Sequence, residues 1–165
     1  MPPRRRQGRH KGLLMIALIQ RVASARVEVA GEVVGAIQRG LLALVGLEAG
    51  DDETSAARLL ERVLAYRVFP DDAGRMNLSL TEIAGGLLLV PQFTLAADTS
   101  RGNRPGFSTA MAPDAAANLF AWLLARARSL HPGTAAGSFG ADMQVHLVND
   151  GPVTFSLRVP PPGAE

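Results

Sequence analysis

The chain has 165 residues, 47% hydrophobic and 19% charged, which suits one domain with a sizeable core and excludes a chain disordered throughout. It contains no cysteine, which excludes a disulfide framework, a thiolate nucleophile and a zinc–thiolate site. Arg4, Arg5, Arg6, Arg9 and Lys11 supply five of the 17 basic residues, so beyond residue 14 the chain carries 12 basic against 15 acidic side chains, a formal −3, and the basicity belongs to the tail rather than to the domain.

Residues 1–14 begin with Pro, Gly and like charges, which bury too little apolar surface to order themselves, and are read as a disordered extension. A secretory signal would need the apolar run 13–19 followed by the small residues Ala23-Ser24-Ala25. Arg21 interrupts that pattern, and strand-like alternation runs straight through the supposed cleavage site, with Ala25, Val27 and Val29 on one face and Arg26 and Glu28 on the other. The domain is therefore expected to open at Met15, in a cytoplasmic protein that has no membrane segment.

Residues 15–22 and 25–30 read as strands, with Ala30-Gly31 a tight link to Val33-Val34. Gln38-Arg39-Gly40 then punctuates before 41–47, an apolar run short enough for a buried strand. Asp51 and Asp52 can cap a helix whose apolar residues, Ala56, Leu59, Leu60, Val63 and Leu64, follow the 3.6-residue period and which stops near Phe69-Pro70. Asp71-Asp72-Ala73-Gly74 is turn chemistry, and Gly85-Gly86 precedes a second buried run at 87–90. A polar loop over 97–109 leads to a helix with Pro113 at its first position and Leu119, Phe120, Leu123, Leu124, Ala127 and Leu130 on one face. His131-Pro132-Gly133 ends it. Two last strands, 145–148 and 153–159, flank the break Asn149-Asp150-Gly151-Pro152, and Pro160-Pro161-Pro162 closes the domain, leaving 161–165 as a tail. Strands dominate without βαβ alternation, so the expected fold is a single α+β domain, residues 15–160, with a strongly curved, barrel-like mixed or antiparallel sheet and two main helices.

Familiar catalytic sets are scarce. His10, His131 and His146 lack the i, i+4 partner of a helical zinc motif, and neither a Gly-x-Ser-x-Gly elbow nor a Walker loop occurs. His146 reads as a strand residue, and Asp51, Asp52 and Glu53 as acids favoured at a helix N-terminus. Two segments stand out because each sets polar or special residues directly after a buried strand: Pro91-Gln92-Phe93-Thr94-Leu95, and Asn149-Asp150-Gly151-Pro152-Val153-Thr154. Taken singly, each is also a strand end followed by a turn.

The opening MIALIQRV, the segment QFTLAADTSRGNRPGF and the segment ADMQVHLVNDGPVTF, in that order, resemble the D-aminoacyl-tRNA deacylase family from about Met15 to Val159. The resemblance implies a homodimeric cytoplasmic hydrolase, free of cofactor and metal, that cleaves the ester joining a D-amino acid to tRNA and also removes glycine mischarged on tRNA for alanine. It implies catalysis by backbone groups of Gln92, Phe93 and Thr94 assisted by the terminal adenosine's own 2′-OH. It further implies substrate contacts from Phe139, Met143, Asn149, Gly151 and Pro152, and a cis Gly151-Pro152 bond, supported by Arg21, inserted into the partner subunit's site. One departure stands out. The family's first motif begins Ser-Gln, and Pro91 replaces that serine, removing both a hydroxyl and an N–H. Thr94 carries the remaining hydroxyl of the motif; with no adjacent base it is read as a positioning residue rather than a nucleophile. Arg101 and Arg104 are candidates for tRNA phosphate contact. The alternative is a nucleic-acid-binding module without turnover that uses the basic tail, and a β-rich oligomeric scaffold is a third reading.

Overall fold

The computed structural model describes residues 15–160; the extension 1–14 and the tail 161–165 lie outside the described residues. Strand β1 (Met15–Val29) forms the spine of a six-stranded sheet. Its sequence contains neither Gly nor Pro, so nothing breaks it at Ala23-Ser24-Ala25, and the two strands expected there are one continuous strand. β8 (Gln144–Val159) pairs antiparallel with one edge of β1 along nearly its whole length. The other edge is shared: β3 (Gly40–Gly46) takes Ile16 to Val22, and β2 (Glu32–Ile37) takes Ala25 to Val29. β6 (Gly86–Pro91) adds parallel to β3, and β7 (Thr134–Ala136) parallel to β6.

Curvature brings β2 back over β6 and β7, so the sheet nearly closes into a barrel. Close approach there depends on glycine: a Cβ on Gly35 would fall against the Ala136 carbonyl, and one on Gly86 would lie 2.7 Å from the Ile37 Cβ. The mixed, barrel-like α+β fold expected from the sequence is the one observed.

The period-2 alternation of the strands divides the core in two. Leu41, Ala43, Val45, Leu87 and Leu89 face the helices, whereas Leu42, Leu88 and Val90 face Val22, Ala25, Val27 and Ile37 inside the curve. Helix α1 (Glu53–Ala65) covers the outer face with Leu59, Leu60 and Val63, as its periodicity predicts. Asp52 caps it, accepting from the Thr54 and Ser55 amides at 2.9 and 3.1 Å, while Ser55 Oγ accepts from the Asp52 amide. Helix α3 (Pro113–Leu130) buries Leu119, Phe120, Leu123 and Ala127 beside α1; Leu130, expected on that face, is 49% exposed. His131 ends α3 and is buried, its Nε2 2.5 Å from the Gly85 carbonyl. It therefore ties the helix to the turn that enters β6.

Four short elements went beyond the expected set. These are the hairpin of β4 (Phe69–Pro70) and β5 (Met76–Leu78), the one-turn helix α2 (Leu80–Ile83), and β7. Helix α1 also stops four residues before Phe69, at Ala65. Among the described residues, no helix is long and apolar enough to cross a membrane.

Candidate active site

At the end of β6 the chain turns into a single 3₁₀ turn, Phe93–Ala96. Pro91 is accommodated in the strand because the β3 side of β6 is served by its even-numbered neighbours: Gln92 N–H donates to the Val45 carbonyl at 2.8 Å. That bond narrows the donor set expected from the sequence. The Gln92 amide is used by the sheet, whereas the Phe93 and Thr94 amides precede the turn's own bonds, from Leu95 to Gln92 and from Ala97 to Thr94, each 3.2 Å. The Gln92 side-chain amide donates to the Thr94 hydroxyl.

A cavity of about 750 Å³ opens beside this turn. Gln92 and Phe93 form one wall, Phe107 and Met111 from the 97–112 loop a second, and Phe139 and Met143 from the segment before β8 a third. Phe93 is 63% exposed and lies 5.3 Å, centroid to centroid, from Phe107, an aromatic pair left facing solvent at the rim. No residue lining the cavity ionises. The second wall is tied down by main-chain bonds: Ala49 N–H donates to Thr109 O at 3.0 Å and Met111 N–H to Leu47 O at 3.1 Å. Asp51 organises the turn these bonds reach, its Oδ2 accepting from the Glu48 amide at 2.8 Å. Its other oxygen is buried without a hydrogen-bond partner, and burial, the largest influence, raises its pKa to about 6.

The remaining candidates fall into two further groups. Asn149, Gly151 and Pro152 on β8 meet Arg21 of β1, and none of the four lines the cavity of their own chain. Between Gln20 and Val22, Arg21 alone opposes the segment between Asn149 and Thr154. Its Nε donates to the Asp150 carbonyl at 3.0 Å and its Nη1 to the Val68 carbonyl at 2.7 Å, with the Asp150 carboxylate 3.7 Å away. Gly151-Pro152 is cis, as the resemblance implied, and exposed. Gly151 has φ +140°, and a Cβ there would meet Val153 Cγ2 at 2.6 Å. Asn149 spends both ends of its amide inside this segment, on the Val153 N–H and the Thr154 hydroxyl. Arg101 and Arg104 sit exposed on a loop closed by paired bonds between Asp98 and Gly106, at 2.7 and 2.9 Å.

His146 lies outside the cavity, half exposed on β8 and 3.4 Å from Glu28, and His131 is structural. Among the described residues, no three His, Asp or Glu side chains gather as a metal set. Sequence reasoning missed Phe107 and Met111; a phenylalanine in an otherwise polar loop was the available signal. It also missed the Val68 carbonyl, since a backbone acceptor leaves no mark in side-chain pattern.

A family model described as D-Tyr-tRNA(Tyr) deacylase matches residues 18–158. The chain is 63% identical over 145 residues to the D-aminoacyl-tRNA deacylase of Pseudomonas entomophila (strain L48), covering 88% of this chain and all of that relative. It is 62% identical over 148 residues to that of Thioalkalivibrio sulfidiphilus (strain HL-EbGR7), covering 90% and 99%. Among solved structures, a c-Myc DNA unwinding element binding protein superposes with TM-score 0.84 at 36% identity, covering 88% of this chain and 99% of that one. A probable eukaryotic D-amino acid tRNA deacylase shares the fold, with TM-score 0.78 at 16% identity over 88% and 100% of the two chains.

Proposed function

The chain belongs to the D-Tyr-tRNA(Tyr) deacylase family, and from that premise we propose how it acts as a D-aminoacyl-tRNA deacylase, a hydrolase of the ester joining a D-amino acid to tRNA. One observation carries the mechanism: the cavity is lined by apolar and neutral groups, with Phe93 in its wall, Thr94 next in the same turn, and no ionisable side chain among the lining residues. Water adds to the ester carbonyl, and the tetrahedral oxyanion takes hydrogen bonds from the Phe93 and Thr94 amides, each worth about 2.7–4 kcal/mol in acyl transfer. The intermediate collapses with cleavage of the bond to the terminal ribose oxygen, which takes up a proton; free amino acid and tRNA leave. The 2′-OH of the terminal adenosine supplies the proton relay that the wall lacks. Phe93, Phe139 and Met143 offer apolar surface to the terminal nucleoside and the amino acid.

Handedness is read by rigid backbone, because side chains vary among D-amino acids while the stereocentre does not. Gly151-Pro152 of one protomer enters the cavity of its partner in a homodimer, and an L side chain meets that wall. Glycine has no side chain to exclude, so glycyl-tRNA for alanine is a second substrate. The compartment is the cytoplasm, where charged tRNA is found. A second reading, a nucleic-acid-binding module without turnover, is favoured by the name of the 36%-identical solved relative.

Single-turnover hydrolysis of D- and L-aminoacyl-tRNA, with and without the terminal 2′-OH, tests the proposal. The D ester is expected to be cleaved, the L ester spared, and the 2′-deoxy substrate slowed by about 10²-fold or more, the scale of a lost acid–base group. Binding without turnover favours the second reading, and full-rate cleavage of the 2′-deoxy ester removes the substrate hydroxyl from the mechanism.

A further inference from the structure

On β8, residues 150–153 bulge out opposite Arg21, and the two residues flanking the bulge, Asn149 and Thr154, face each other across its neck. Asn149 Nδ2 donates to Thr154 Oγ1 at 2.9 Å, and Gln20 Nε2, on the neighbouring strand, approaches the same oxygen at 3.5 Å. The other end of the Asn149 amide accepts the Val153 N–H at 3.0 Å. On the opposite limb, the Asp150 carbonyl is held by Arg21. Gly151 and Pro152 therefore stand between two anchored neighbours, and Pro152 has no N–H of its own to give. Where the dipeptide points is decided at the ends of the bulge.

We infer that Asn149 and Thr154 are positioning residues whose side chains close the neck of this bulge and set the placement of Gly151-Pro152, making them determinants of D-over-L selectivity. The role in selectivity rests on the reading of Gly151-Pro152 as the stereochemical wall. Asn149 then acts through the loop rather than by touching substrate, since both ends of its amide are already engaged. Thr154 enters as an acceptor, a role that serine retains and valine, of the same shape, loses.

The test uses the full-length protein with Thr154→Val, Thr154→Ser and Asn149→Leu, read in two ways. Hydrogen exchange at the Val153 amide reports the neck directly, and the ratio of kcat/KM for D- and L-aminoacyl-tRNA reports the wall. Thr154→Val and Asn149→Leu are expected to speed Val153 exchange and lower the D/L ratio by about tenfold or more, since small misplacements at a reacting centre cost that much. Thr154→Ser is expected to restore both. Val153 exchange unchanged in both disruptive variants overturns the neck, and faster exchange with an unchanged D/L ratio overturns its role in selectivity. If the unaltered protein fails to cleave D-aminoacyl-tRNA, the functional reading and the selectivity role fall together, while Val153 exchange still decides whether the two side chains hold the bulge.

Discussion

The Gln92 side-chain amide donates to the Thr94 hydroxyl, which therefore accepts a hydrogen bond from a neutral group rather than facing a base that could take its proton. A nucleophile needs a base within reach, and the cavity wall provides none. Thr94→Val is therefore expected to keep single-turnover deacylation within about tenfold, well short of the 10²–10⁴ lost with an acid–base group; a covalent aminoacyl adduct on the unaltered protein would reverse the assignment. Asp51 carries the opposite lesson. Its carboxyl, with one oxygen unpartnered, titrates near 6 in the fold against 3.8 for the ordinary group. Between those values the folded chain binds more protons than the unfolded one, so this group lowers stability as pH rises from 3.8 to 6. Below that window it contributes nothing, and above it the loss is complete. Asp51→Asn is expected to remove this part of the slope, read as the difference between variant and unaltered protein in urea unfolding at pH 4 and 7. Equal slopes would show that the carboxyl is not perturbed.

Among the elements, periodicity over several turns was the reliable signal. Helices α1 and α3 carry long apolar stripes; the whole α1 stripe is buried, and in α3 Leu119, Phe120, Leu123 and Ala127 are buried while Leu130 at the last turn is exposed. β4, β5 and β7 have two or three residues each, too few for any period to register. The Asp71 turn was legible because its chemistry is local. Its carboxylate takes the Asn77 side-chain amide and the Ala73 and Arg75 N–H groups, and these bonds, Asn77 first, hold its pKa below the ordinary value. Asn149-Asp150-Gly151-Pro152 also looked like a turn between strands, but Arg21 fills the gap and β8 continues through it as one strand. Closure of the sheet rests on Gly35 beneath Ala136. Gly35→Ala is expected to cost about 1–3 kcal/mol, the usual cost of overpacking, measured by denaturant unfolding. On the 98–106 loop, Arg101→Ala and Arg104→Ala should each weaken tRNA binding and reduce its salt dependence by about one phosphate's worth. A slope unchanged in both variants would take the loop off the tRNA surface.

At the scale of the molecule, the cavity and the Gly151-Pro152 bulge occupy different parts of one chain, so the proposed composite site takes one from each of two protomers. Mixing tests this directly. Met143→Arg fills the cavity and Gly151→Ala strains the wall, so each alone is expected to be inactive. In a mixed dimer the intact wall of the first meets the intact cavity of the second. Statistical exchange in a two-fold dimer then restores about a quarter of the original activity. No recovery, with mixed dimers demonstrated by mass, would mean that each protomer builds its site alone.

Much of this protein was determined in its sequence: the α+β class, both main helices, the buried strands and the two motif segments. Each follows from short-range rules, namely alternation at period two, stripes at period 3.6, and the chemistry of caps and turns. Tertiary structure decided the rest. Which of three motif amides stays unbonded depends on β3 lying beside β6 and taking the Gln92 N–H. That Phe107, Phe139 and Met143 enclose one cavity depends on loops whose anchors are main-chain bonds to distant segments. Asp51 acquires its raised pKa chiefly from burial, which exists only in the folded chain. Hydrogen bonds between backbone groups, and the exclusion of water, belong to the assembled chain, and no pattern of side chains along the sequence records them.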